Sequence, residues 1–122
     1  MEILLGIGGA ADSTLALHET VDRVAETGDR LTVAILADAE SGVDSEELRP
    51  LIEEATDDAG IAVDITVLEG DPGPALTDMA ESGGFDRVVI GGGKRSPMGK
   101  ISLGPITEFV VLNADTTVTL VR

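Results

Sequence analysis

The sequence predicts an α/β protein, a doubly wound, Rossmann-like parallel sheet of five strands in the order 3-2-1-4-5, built as one domain over residues 1–122. Three observations carry this. Short runs rich in Ile, Leu and Val alternate with longer runs of helical periodicity, the βαβ pattern that gives a parallel sheet with helices on both faces. The second such run, Leu31–Ala37 (LTVAILA), is apolar almost throughout, as a strand buried on both faces requires. Glycine-rich loops, Gly6–Ala11 and Gly91–Gly104, follow the first and fourth strands. If both line one site those strands are neighbours, which favours 3-2-1-4-5 over 2-1-3-4-5.

The elements follow in order. The first strand is Ile3–Gly8. The first helix spans about Ser13 to Thr27, capped by Asp12 or Ser13 and ended by Gly28. Its Leu17, Val21, Val24 and Ala25 keep helical spacing, and its single histidine, His18, is read as a partly exposed helix residue. After the second strand and a polar loop, Asp38–Asp44, a helix spans Ser45–Ala59 with Pro50 inside it, which either removes a hydrogen bond or shifts the start. The third strand, Ala62–Leu68, alternates Asp64 and Thr66 with apolar residues, the pattern of an edge or of one exposed face. A turn at Gly70–Pro74 leads to a helix over Ala75–Ser82. The fourth strand is Arg87–Ile90, the last helix Pro105–Leu112, and the fifth strand Thr116–Val121. That strand falls at an edge without Lys or Pro to discourage pairing, so residues Thr117, Val118, Thr119, Leu120 and Val121 are expected to build a two-fold homodimer; an edge protected by its shortness is the alternative.

Composition narrows the function. With 23 acids against 8 bases the net charge is −15, which repels nucleic acid and anionic membranes. Aromatic residues number two, Phe85 and Phe109, too few for base-stacking recognition. The acids are dispersed and the core is aliphatic, which points to a folded protein adapted to high salt, with an ordinary acidic protein as the alternative. The absence of cysteine removes thiolate catalysis and thiolate metal sites, and one histidine leaves no Ser-His-Asp triad or His pair to expect. No apolar run reaches membrane-spanning length and no basic leader opens the chain, so a cytoplasmic location is expected.

The loop Gly91–Gly104, GGGKRSPMGKISLG, breaks the acidic character of the chain. No acid occurs between Asp86 and Glu108, while Lys94, Arg95 and Lys100 fall inside that gap. Strand, glycine loop and helix start together present backbone N–H groups to an anion. The candidate nucleotide- or anion-binding residues are therefore Gly91, Gly92, Gly93, Lys94, Arg95, Gly104 and Pro105. Gly8 and Gly9 join them from the first loop, and Ile7, Ala37 and Ile90 offer an apolar slot for a base. The alternative is a loop that only turns the chain, with solvated charges. The first loop also matches G-x-G-x-x-A of dinucleotide sites, but Asp38 lies 27 residues beyond Ala11, farther than the usual ~20 for the ribose acid. Mg²⁺ could be held by Asp12, Asp38 and Asp71, acids that otherwise solvate or cap helices.

Three segments, ILLGIGGAADSTLALHETV, EGDPGPALTDMAE and VVIGGGKRSPMGKISLGPITEFVVLNADTTVTLV, resemble the universal stress protein family across the whole chain, and specifically a haloarchaeal-type member. The resemblance implies an α/β sheet of order 3-2-1-4-5, dimerisation through the last strand, a stress-response role, and no catalytic residues. Family members that bind ATP carry G-x2-G-x9-G-[S/T]. Placed on this chain, the motif meets Gly91, Lys94, Gly104 and Pro105, so the second Gly and the Ser/Thr are replaced. The Asp that binders carry at the end of the first strand is Gly8 here. The resemblance thus implies a dimer with weak, altered or no nucleotide binding that acts through a protein partner. A true ATP binder with at most slow hydrolysis is the alternative, with ATP and Mg²⁺ as its cofactors. A further alternative is an enzyme; GGAADS at Gly8–Ser13 is similar to the glycine-Asp-Ser loop of ATP pyrophosphatases, with one extra residue.

Overall fold

In a computed structural model the chain is described at residues 1–8, 11–36, 45–91, 94–95, 101–102 and 104–121, with the backbone alone at 11–13, 45, 94–95 and 101–102. The elements run β1 (Glu2–Ile7), α1 (Ala11–Thr27), β2 (Arg30–Leu36), α2 (Ser45–Ala59), β3 (Val63–Leu68), α3 (Pro72–Ser82), β4 (Arg87–Gly91), β5 (Lys94–Arg95), β6 (Ile101–Ser102), α4 (Pro105–Asn113) and β7 (Thr117–Val121). The main sheet has five strands in the order β3-β2-β1-β4-β7, all parallel. This is the expected 3-2-1-4-5 order, with β7 as the fifth strand. The two-residue strands β5 and β6 pair antiparallel inside the second glycine-rich loop, where the sequence carries no strand signal.

Alternation along each strand divides the core into two layers. Ile3, Leu5 and Ile7 of β1 join Val33, Ile35 and Val89 beneath α1 and α2. Leu4, Ala34, Leu36, Val88 and Ile90 face the other way, toward α3 and α4. Both layers are aliphatic, as the scarcity of aromatic residues requires. β3 occupies one edge, with Asp64 exposed, and β7 the other.

Helix ends follow from local chemistry. Gly28 and Gly60 take positive φ of 77° and 70° just past α1 and α2, a conformation that costs glycine little. α2 keeps Pro50 inside it, its ring on the exposed side, while Ile52 and Thr56 are buried against the sheet. Burial of that face outweighs the lost backbone bond. α3 starts at Pro72 rather than Ala75, because proline suits the first helical turn, where its missing N–H has no partner to lose. At the N-terminal ends of the strands, the Met1 ammonium lies 3.2 Å from Asp29, and the Thr27 hydroxyl donates to Asp29 at 2.7 Å. The Thr27 bond first, then the ammonium, holds the Asp29 carboxyl below its ordinary value of 3.8.

Candidate functional site

β1 and β4 lie side by side at the centre of the sheet, with Gly6 opposite Ile90. To one side the order runs β1-β2-β3 and to the other β4-β7, so strand order reverses between β1 and β4. In such sheets the helices leave on opposite faces at this point, and a crevice opens beyond the carboxyl ends. Gly8 follows β1 there, and Gly91 ends β4 one position beyond the paired Ile90. The two glycine-rich loops therefore start from neighbouring strand ends.

The start of α4 is tied to the same place. The Thr107 hydroxyl donates to the Gly91 carbonyl at 3.2 Å, which holds the first turn of α4 against the end of β4. Gly104 is the N-cap, extended at φ −67° and ψ 163°, with no side-chain cap bond, and Pro105 is the first helical residue. As a glycine, Gly104 offers no side chain to the first amides of α4, and the helix dipole adds partial positive charge at its start. Glu108 in the same turn complements the dipole from within the chain. A Cβ added at Gly8 or at Gly104 would meet no heavy atom of the described residues within 4 Å.

The remaining expected residues divide by placement. Lys94 and Arg95 form β5, paired to Ser102 and Ile101. Gly9, Ala37, Gly92 and Gly93 lie outside the described residues, as does Asp38. Ile7 and Ile90 are buried at neighbouring strand ends, but in different layers, Ile7 under α1 and Ile90 under α3 and α4. Register explains this. Gly6 is the partner of Ile90, so Ile7 is one residue out of step and points to the opposite face. One apolar slot does not take both side chains. Asp71 is the N-cap of α3 and makes no side-chain cap bond. Among the described residues no group of three or more His, Asp or Glu side chains could hold a metal ion, and no helix is long and apolar enough to cross a membrane.

Thr107 escaped the sequence reading. The signal was present, a hydroxyl in the first turn of a helix entering from a glycine, but its partner is a carbonyl 16 residues earlier that only the fold brings near.

Comparison with known proteins agrees with this architecture. The sequence profile of the universal stress protein family matches residues 1–122. Among solved structures, a universal stress protein from Archaeoglobus fulgidus superposes with a TM-score of 0.79 at 20% identity, covering 100% of this chain and 98% of that one. A universal stress protein from the same organism in complex with dAMP gives 0.72 at 15% identity, with 100% and 98% covered. A universal stress protein family protein from Arabidopsis thaliana with AMP bound gives 0.75 at 13%, with 99% and 90% covered. No curated protein sequence matches the chain.

Proposed function

The chain belongs to the universal stress protein family, and from that premise we propose that it is a stress-response dimer whose cleft between β1, β4 and α4 binds nucleotide weakly, as a receiver of signals passed to a protein partner. The observation that carries the cleft is the bond from Thr107 to Gly91, which sets the glycine-led start of α4 against the end of β4, beside β1. Backbone amides there suit phosphate oxygens. Solved members of similar fold hold dAMP and AMP, which supports a nucleotide as the class of ligand.

Weakness follows from three positions. Lys94 stands where binders have glycine, and any Cβ limits the approach of a phosphate to the backbone. Pro105 lacks both the hydroxyl and the N–H of the usual Ser/Thr. Gly8 supplies no carboxylate for a ribose or metal. The Lys94 ammonium offsets part of this as a point charge for phosphate.

Native mass spectrometry and calorimetric titration with ATP and AMP test the reading. The unmodified protein is expected to carry no retained nucleotide and to bind ATP weakly, and Lys94→Gly with Pro105→Ser to tighten ATP binding by about tenfold or more, the equivalent of ~1.4 kcal/mol. Tight endogenous ATP in the unmodified protein would overturn it. Dimerisation is proposed through β7, an edge strand of the sheet.

A further inference from the structure

We propose that the layer between α1 and the β4–β7 edge holds a monovalent anion of the halide class, bound by Arg87, Thr20 and Thr119. Two buried polar atoms stand without a hydrogen-bond partner among the described residues, Arg87 Nε and Thr20 Oγ1. Thr20 is 5% exposed on a helix whose inward face is otherwise aliphatic. Buried polar atoms are nearly always satisfied, so two orphans call for a common explanation.

The fold brings them to the same place. Arg87 begins β4 on the face shared with Val89, the α1 face. Its side chain runs along the strand, and Nη1 donates to Thr119 Oγ1 at 3.1 Å. Thr119 pairs with Val89, and Val89 with Leu5, so the guanidinium lies at the level of Leu5. α1 runs back over the sheet. Its Leu17 lines a cleft with Ile7, and its Val24 and Ala25 line another with Glu2 and Leu31. Thr20 falls between these limits, again at the level of Leu5. Thr14 and His18 line the cleft against α2, and Thr20 is about 200° around the helix from His18. It therefore faces away from α2, toward β4 and β7, which α1 also contacts.

The chemistry selects an anion over water. Among the described residues no carboxylate pairs with Arg87. The neighbouring Asp86 accepts instead from the Glu2 amide at 2.7 Å. A guanidinium partly withdrawn from water calls for negative charge. Thr119 Oγ1 already accepts from Arg87, which leaves its proton to donate. Arg87 Nε–H, the Thr119 hydroxyl and the Thr20 hydroxyl thus form a set of donors, and a halide accepts from all three while neutralising the arginine. The site lies within the sheet's α1 face, away from the loops at the strand ends, so it stands or falls apart from nucleotide binding.

Crystals grown in sodium bromide, with data collected at the bromine absorption edge, test it directly. An anomalous peak within hydrogen-bonding reach of Arg87 Nε and Thr20 Oγ1 is expected, and its loss in Thr20→Val. In solution, chloride-35 line broadening at constant ionic strength should show an excess for the unmodified protein that is lost in Thr20→Val and in Arg87→Met. Thr20→Val keeps the shape of the side chain and should remain folded by circular dichroism. A peak without anomalous signal, which is a water, or broadening equal in all three proteins would overturn the proposal.

Discussion

Gly6 shows how far a single residue can be read from sequence. In the chain it is the first glycine of a fingerprint-like loop, which suggests a phosphate. In the fold it lies inside β1 between Ala34 and Ile90, and a Cβ there would sit 2.7 Å from Leu76 Cδ2. Leu76 is fully buried and has little room to yield. The glycine admits α3 to the sheet. Gly6→Ala is therefore expected to destabilise the protein by about 1–3 kcal/mol in urea unfolding, as overpacking does. In a Leu76→Ala background the same substitution should cost well under half as much, because the colliding methyl is gone. Equal costs in the two backgrounds would refute the packing role. The partner of a glycine is invisible in sequence, since it comes from a helix about 70 residues away.

At the scale of elements, the strands and helices were legible because hydrophobic period and punctuation agree. β2 is apolar on both faces and lies inside the sheet, while β3 alternates and lies at an edge. Less legible were the start of α3, where proline reads as a turn but serves as a first helical residue, and the β5–β6 pair, too short for a period to show. α2 carries a local conflict. Asp57 and Asp58 occupy its last turn, no base does, and carboxylates there oppose the helix dipole. The helix persists because Ile52 and Thr56 are buried and Leu48 and Ala55 pack on the core. Asp58→Lys should accordingly stabilise the protein by about 0.3–1 kcal/mol at low ionic strength and by less in molar salt, where the dipole is screened. Thermal unfolding at the two salt concentrations reads this, and a gain that is the same in both would show that the dipole is not its source.

For the molecule as a whole, charge and edge decide behaviour. A net charge of −15 on 122 residues is self-repelling, and salt relieves it. The melting temperature is expected to climb steadily with sodium chloride into the molar range; a flat dependence would speak against adaptation to high salt. Assembly is expected at β7, whose far side has no strand to pair with among the described residues. Sedimentation in high salt should give a dimer, and Thr117→Lys, which places charge on the exposed start of that strand, should shift it toward monomer. A chain monomeric at every concentration would remove β7 from the proposal.

Sequence alone determined the class of fold, because period and punctuation are local along the chain; the two glycine-rich loops favoured the sheet order, and the resemblance of three whole segments pointed to the family. Tertiary structure decided what depends on neighbours in space. It set Ile7 and Ile90 on opposite faces through a one-residue difference in register, gave Thr107 its carbonyl, and buried Thr20 Oγ1 and Arg87 Nε without a partner among the described residues. Side-chain direction in a strand reverses at every residue, so a site is known only once the pairing is known.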